Sequence, residues 1–226
     1  LYFARQYHIF KTVSLNWTAI RHFVGAWPLS VSLILNVVYF RLDSFILTTY
    51  RSFAEVGVYN FAYQFFQTAL VLPTFVMNVF YPILLRSLES DRKLFWRQVI
   101  FGAVCLFILG LVTALAALIL SPLLLPLISG NNSFQGSVAS LQILSLSFPI
   151  FFVSALLMWV MIALKKQKNM VVIYALGLIV NTVLNLIFIP QYSYLGAAWV
   201  TVFSEVLIVL LQLLAIFPYI INNEKV

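Results

Sequence analysis

The chain has 226 residues, of which 63% are hydrophobic and 8% charged, and its mean hydropathy is +1.04. Soluble domains carry roughly 25% charged residues, so this composition excludes a soluble fold. The net charge of +7 would suggest a nucleic-acid partner in a soluble protein. Here the placement of the basic residues explains them as topology signals, and no nucleic-acid partner is expected.

Cysteine and histidine usage excludes disulfide and metal chemistry. Cys105 is the only cysteine and lies in an apolar run, while His8 and His22 flank the first apolar run. These residues offer no metal cluster, so we expect no metal and no cofactor. Because no signal peptide precedes the first apolar run and the chain starts at Leu1, we interpret it as a fragment whose beginning lies upstream.

Six apolar runs are long enough to span a membrane, which takes about 20 residues each. They predict an all-α membrane protein with a six-helix bundle over residues 23–220, a cytoplasmic tail at 221–226, and a cytoplasmic linker or the end of a preceding helix at 1–22. The predicted spans are Phe23–Thr49, Val56–Leu85, Phe95–Leu120, Val138–Leu164, Met170–Ile189 and Leu195–Ile220. The predicted joints are Tyr50–Glu55, Arg86–Lys93, Ser129–Gly136, Lys165–Asn169 and Pro190–Tyr194.

The loop charges predict the orientation, because Lys and Arg concentrate on the cytoplasmic side of short loops. Eleven of the 13 basic residues lie before residue 22, near the second joint, in the fourth joint or in the tail. The opposite side holds only Arg51, and Arg41 lies inside the first span. The pattern predicts that both ends of the segment are cytoplasmic.

Prolines interrupt several spans. Pro73 and Pro149 fall near the middle of the second and fourth spans, and proline bends a helix by removing a backbone donor. Membrane helices tolerate proline, so either tolerance or a transporter-like hinge explains each one, and we take both as hinge candidates. By contrast, Pro122, Pro126 and Pro190 lie at predicted span ends and are expected only to terminate helices.

Amide side chains line one face of two spans, because positions three and four apart are neighbours on a helix. They suit a hydroxyl-rich ligand such as a sugar, and they equally suit contacts between helices. The amides of the second span are Asn60, Gln64 and Gln67, and those of the fifth are Asn181 and Asn185.

Arg41 and Asp43 place two charges inside the first span. Being two positions apart, they point about 200° apart around a helix and cannot be each other's sole partner. Arg41 lies about 30 Å along the helix from Arg21, toward the outer side of the membrane. Interfacial solvation of both groups is one interpretation, and a longer helix lining a water-filled vestibule is the other.

Glu205 is a further carboxylate inside the membrane, ten residues into the sixth span. At that depth it needs a partner on another helix, a proton, or contact with water. We therefore consider Asp43 and Glu205 candidates for coupling transport to an ion, with structural hydrogen bonding by Glu205 as the alternative.

Catalytic motifs are absent from the sequence, which has neither a P-loop nor an H-E-x-x-H motif. A membrane-embedded glycosyltransferase or polymerase usually needs a large loop with grouped acidic or histidine residues, whereas the longest predicted loop has about eight residues. The sequence therefore predicts a protein that is not an enzyme.

Two stretches resemble the polysaccharide-export branch, the Wzx-like O-antigen flippases, of the multidrug/oligosaccharidyl-lipid/polysaccharide flippase superfamily. The first runs over Pro28–Leu85, and the second over Asn181–Pro190 with Gly196-Ala197-Ala198 and Ser204-Glu205 after it. The first stretch contains Tyr39-Phe40-Arg41-Leu42-Asp43, Glu55–Tyr63, Leu72-Pro73 and Tyr81-Pro82. Ser193 stands where the family often has glycine.

The resemblance implies one lobe, the carboxy-terminal one, of a two-lobed transporter in the bacterial inner membrane. Such a protein moves an undecaprenyl-pyrophosphate-linked oligosaccharide between leaflets, through a polar and partly cationic cavity between the lobes. Arg41 would then meet anionic groups, with Asp43 and Glu205 as its partners or as ion sites. The implied partners are the lipid bilayer, the lipid-linked oligosaccharide, the missing amino-terminal lobe, and polysaccharide polymerase or chain-length machinery.

Two alternatives stay open within the superfamily. In the first alternative the cargo is a lipid-linked peptidoglycan precursor. In the second, which requires cation coupling, the cargo is a drug. The sequence also leaves open whether the chain is a fragment or a half-transporter that assembles with itself.

Overall fold

The computed structural model describes residues 27–130 and 134–221, and within these ranges every element is an α-helix. The helices are α1 (Trp27–Tyr50), α2 (Phe53–Ala69), α3 (Val71–Ser90), α4 (Arg92–Ser129), α5 (Gln135–Ser145), α6 (Phe148–Ala163) and α7 (Gln167–Ile221). The predictions for residues 1–22, which include Leu1, His8 and His22, lie outside the described residues. So does the prediction for residues 222–226 of the tail.

Four helical stretches are long and apolar enough to cross a membrane: α1, the α2–α3 pair, α4 and α7. The α5–α6 pair, bent by 50°, makes a fifth. α7 has 55 residues, about 80 Å if straight, which is far more than one span requires. It contains a break at Ser193, so it supplies two passes and brings the total to six.

The two halves of α7 form an antiparallel hairpin about Ser193. The side chain of Asn181 donates to Ser204, and Gly177 lies against Ile208, so residues equally far from the break are neighbours. Near the turn, a Cβ on Gly196 would lie 2.8 Å from the carbonyl oxygen of Phe188, so only glycine fits. The six-helix prediction is confirmed, and the chain is a multi-pass membrane protein.

Three proline predictions are wrong. Pro122 and Pro126 lie inside α4, which continues to Ser129 and ends at Gly130 in a left-handed conformation (φ 66°). Pro190 does not end the fifth span either, because the helix runs on to the break at Ser193. In membrane helices, neighbouring groups can satisfy the carbonyls that proline leaves free, so proline by itself is a weak stop signal.

The predicted joints are longer than the observed ones. Helical structure reaches Ser90 and resumes at Arg92, so Asp91 alone separates α3 from α4 and caps α4 by accepting from the backbone of Lys93. Similarly, the predicted joint Pro190–Tyr194 contracts to the turn at Ser193. Hydropathy marks where apolar segments stop, whereas helices extend through the polar residues that flank them.

The helices pack around an aromatic core. α1 lies against the α7 hairpin, and α6 lies between α4 and α7. The ring of Phe66 on α2 stacks on Phe148 of α6 and meets Phe151 edge-on. α4 approaches α6 so closely that a Cβ on Gly110 would lie 2.5 Å from the Cα of Pro149. This packing fixes the positions of the polar side chains that enter the core.

Candidate functional site: a buried polar cluster and an exposed polar face

Asp43 points into the core of the lobe from α1. Its side chain is 2% exposed. One carboxylate oxygen accepts a short hydrogen bond from the hydroxyl of Tyr59, and the other accepts from the backbone N–H of Ser44 at 2.7 Å. Burying a carboxylate is costly unless donors replace its water, and these two donors do so in part. Tyr59 in turn interacts with the hydroxyl of Thr201 on α7.

The amides of the α7 hairpin lie beside this pair of helices and bond to each other. Asn185 donates to the side-chain oxygen of Asn181 at 2.9 Å, and Asn181 donates to Ser204 at 3.2 Å. Both asparagines are buried. The side-chain oxygen of Asn185 has no hydrogen-bond partner among the described residues.

Glu205 is 3% exposed and lies in the same core, on the second half of α7. It interacts with Ser154 of α6 and Tyr39 of α1. Tyr39 interacts electrostatically with both carboxyl groups, and its hydroxyl has no hydrogen-bond partner of good geometry among the described residues. Tyr39 thus joins Asp43 and Glu205 into one group of side chains. We call it the buried polar cluster: Tyr39, Asp43, Tyr59, Asn181, Asn185, Thr201, Ser204 and Glu205.

A cavity of about 290 Å³ reaches the cluster at Glu205. It opens beside the break between α2 and α3, where Pro73 lies one turn after Leu70. No lysine or arginine lines this cavity among the described residues. Its polar lining consists of Asn36, Gln67, Thr74, Ser154, Tyr174 and Glu205.

A second polar region lies on the surface of the lobe, on α1 and α2. Arg41 is exposed, and so are Asn60 and Gln64. Ser44 donates to the side-chain oxygen of Asn60 at 2.7 Å and so links the two helices. We call these four residues the exposed polar face.

The structure thus separates the residues that the sequence singles out. Arg41, Asn60 and Gln64 lie on the surface, Gln67 lines the cavity, and Asp43, Asn181, Asn185 and Glu205 belong to the buried polar cluster. Pro73 and Pro149 each lie within the first turn of a helix that follows a break, after Leu70 and after Leu146-Ser147 respectively. The sequence analysis did not single out four members of the cluster as site residues: Tyr39, Tyr59, Thr201 and Ser204. Tyr39 lies one turn before Asp43 on the same helix face, so the helical period could have indicated it.

Among the described residues, no group of three or more His, Cys, Asp or Glu side chains is placed to hold a metal ion. The oxygens available in the cluster come from two separate carboxylates, amides and hydroxyls.

Comparison with known proteins matches the fold and not the sequence. No family model matches the chain, and no curated protein sequence matches it. Three solved structures are similar. One is an outward-facing multidrug resistance MATE family transporter of the MOP superfamily, with a TM-score of 0.77 and 15% sequence identity. The matched region covers 85% of this chain and 43% of the transporter chain.

The lipid II flippase MurJ, in an inward closed conformation, has a TM-score of 0.71 at 17% identity over 90% of this chain and 44% of its own. A MOP superfamily transporter from Pyrococcus furiosus, described as having a reversed polarity of its binding pocket, has a TM-score of 0.69 at 17% identity over 85% and 43%. The fold of this chain therefore resembles about half of each of these transporters. The chain spans less than half the length of each of these structures.

Proposed function

We propose that this chain is the carboxy-terminal lobe of a flippase that moves an undecaprenyl-pyrophosphate-linked polysaccharide repeat unit across the bacterial cytoplasmic membrane by alternating access. The observation that carries the proposal is the exposed polar face. A cation and two amides lie on the surface of helices whose other exposed side chains are apolar or carry a hydroxyl.

Lipid is a poor environment for this face. A charged side chain costs roughly 2.5–3.5 kcal/mol at the membrane centre on insertion scales and less toward either surface, and charged groups within spans normally face protein or a water-filled cavity. A guanidinium binds phosphate oxygens through paired hydrogen bonds, while amides both donate to and accept from sugar hydroxyls. Arg41 with Asn60 and Gln64 therefore suits an anionic, hydroxyl-rich headgroup in a water-filled path.

The path requires a second wall, which we assign to an amino-terminal lobe. The share of the similar structures that this chain covers supports a missing lobe of equal size. The loop charges support cytoplasmic placement of both ends of the segment. Polysaccharide polymerase or chain-length machinery would then receive the translocated unit.

The buried polar cluster is the proposed site of coupling. Asp43 and Glu205 are carboxyl groups that lie in the membrane, and each adjoins an oxygen or hydroxyl without a full set of partners. Such a site accommodates a proton, a small cation or water. The breaks before Pro73 and Pro149 provide hinges at which α2–α3 and α5–α6 bend during the transport cycle.

The direct test is reconstitution of the full-length protein into vesicles with a fluorescent lipid-linked oligosaccharide on one leaflet. Exposure of the labelled sugar on the far leaflet supports the proposal. Failure to expose it, by protein that is folded and correctly inserted, contradicts the proposal.

A cation-coupled drug exporter is the second candidate, because of the cavity at Glu205. A carboxylate with aromatic walls and no lining lysine or arginine suits an organic cation.

Alternatively, the exposed polar face suits a lipid-linked peptidoglycan precursor, which also carries pyrophosphate and sugar. Rescue of a flippase-deficient strain by one cargo class and not the others separates these functions. Sugar incorporation by the purified protein alone would instead indicate a membrane-embedded glycosyltransferase or polymerase.

A further inference from the structure

The joint between α1 and α2 bonds to the turn of the α7 hairpin, 138 residues away in sequence. The guanidinium of Arg51 donates to the carbonyl of Ile189 at 3.3 Å through Nε and to that of Pro190 at 2.7 Å through Nη2. Carbonyls in the last turn of a helix lack helical partners, and a cation satisfies their charge as well as their hydrogen bonding. Arg51 therefore caps the first half of α7 from another part of the chain.

Glu55 makes the second connection. One carboxylate oxygen accepts from the Ser193 hydroxyl at 2.6 Å. The other accepts from the backbone and the hydroxyl of Ser52, which completes the capping box that begins α2. A single side chain thus fixes both the start of α2 and the turn of α7.

Ser193 itself is strained. Its φ of 54° and ψ of −140° lie in a region that favours glycine, because a Cβ is crowded there. The hydrogen bond to Glu55 offsets this strain in the observed conformation. The turn therefore has a built-in tendency to change shape when the connection to Glu55 is lost.

The elements joined here are those that carry the buried polar cluster. Asp43 lies about two turns before Arg51 on α1, and Tyr59 lies about one turn after Glu55 on α2. Thr201 lies about two turns after Ser193 on α7. A change at these contacts alters the spacing of the helices that surround Asp43.

We propose that Arg51, Glu55 and Ser193 form a clasp that closes this end of the lobe over the buried polar cluster, and that opening the clasp admits water and small solutes to Asp43. The strained turn favours opening, and the hydrogen bonds of Arg51 and Glu55 favour closure. The clasp acts within one lobe and is independent of the cargo, so it stands even if the proposed flippase function fails.

The test is the labelling rate of a buried cysteine in the full-length purified protein. Thr201→Cys is placed in a background from which every other cysteine is removed, including Cys105→Ser, because Cys105 is exposed. The probe is a small charged thiol reagent. With an intact clasp labelling is slow, and Arg51→Gln raises the rate roughly tenfold, since two charge-assisted hydrogen bonds to carbonyls are lost.

Two substitutions at the turn separate strain from bonding. Ser193→Ala keeps the crowded Cβ and loses the bond to Glu55, so labelling rises. Ser193→Gly loses the same bond but relieves the strain, so labelling rises less than with Ser193→Ala. An equal or greater increase with Ser193→Gly contradicts the role assigned to the strain.

Ser87→Cys is the matched control, because Ser87 is also buried and lies on α3 near Asp91, outside the clasp. Its labelling stays unchanged in every clasp variant. The proposal is overturned if Arg51→Gln leaves Thr201→Cys labelling unchanged, or raises it no more than that of Ser87→Cys. If Arg51→Gln does not fold, Arg51→Lys replaces it. Arg51→Lys keeps the charge without the two-point contact. The proposal is then overturned if Arg51→Lys leaves Thr201→Cys labelling unchanged, or raises it no more than that of Ser87→Cys.

Discussion

The exposed polar face and the buried polar cluster each include a charged residue of α1, Arg41 and Asp43, which are two positions apart. One charged side chain is exposed and the other is buried. Arg41 lies exposed on the surface of the lobe. Asp43 lies 2% exposed in the core, with its oxygens held by Tyr59 and the backbone of Ser44. The helix separates the two groups because residues two apart point in nearly opposite directions.

Because one charged side chain is exposed and the other buried, we expect Arg41 and Asp43 to have different roles. An exposed cation can adapt its position to the anionic cargo proposed above, although its charge also acts on the buried Asp43. A buried carboxylate is fixed by its donors, so a change in its charge acts on the surrounding helices. We therefore expect substitutions of Arg41 to alter cargo binding, and substitutions of Asp43 to alter the transport cycle.

Asp43→Asn is expected to have the largest effect on transport. The amide oxygen can still accept from Tyr59, but the group can no longer carry a charge. We expect transport to fall tenfold or more, which corresponds to at least about 1.4 kcal/mol, with near-normal protein levels in the membrane. The measurement is sugar exposure on the far leaflet, normalised to inserted protein. Normal transport by this variant would remove Asp43 from the mechanism.

Arg41→Gln is expected to reduce transport about fivefold at low ionic strength, less than Asp43→Asn. The reduction should shrink as salt rises, because screening weakens the contribution of Arg41 in the unmodified protein. Arg41→Lys is the matched control and should retain part of the rate, since it keeps the charge but loses the paired geometry. A defect that is insensitive to salt would argue against an anionic cargo at this face.

Tyr59→Phe and Asn60→Ala compare the two regions through neighbouring residues of α2. Removing the Tyr59 hydroxyl leaves a buried carboxylate oxygen without its donor, and we expect a loss of about 1–3 kcal/mol in unfolding free energy. Removing the Asn60 amide frees a partly exposed Ser44 hydroxyl, and we expect a change within about 0.5 kcal/mol. Thermal unfolding of both variants in one detergent measures the difference. Equal losses would show that the two regions are not distinct environments.

Much of the fold was predictable because hydropathy and length determine it. Long apolar runs must form helices in a bilayer, so the six passes are evident from the sequence. The joints were less predictable, because Pro122, Pro126 and Pro190 read as stops and lie within helices. Whether a proline ends a membrane helix depends on neighbours that a single sequence does not display.

The sequence singled out half of the side chains that form the buried polar cluster, and it did not show how they are grouped. The helical period placed Arg41 and Asp43 on different faces of the helix, but it did not show which of them faces the core. The sequence also did not show that Tyr39 interacts with both Asp43 and Glu205, or that Asn181 donates to Ser204 across the hairpin. These contacts depend on how the two halves of α7 pair about Ser193, and the helical period within each span does not show that pairing.

The central claim is that Arg41 binds cargo while Asp43 does not. The most direct measurement is equilibrium binding of a pyrophosphate-linked lipid oligosaccharide to the full-length protein, with Arg41→Gln and Asp43→Asn compared under identical conditions. We expect Arg41→Gln to weaken binding about tenfold, as for the loss of one charged hydrogen-bonding contact, and Asp43→Asn to leave the affinity unchanged. Unchanged affinity in Arg41→Gln, or an equal loss in both variants, would contradict the account.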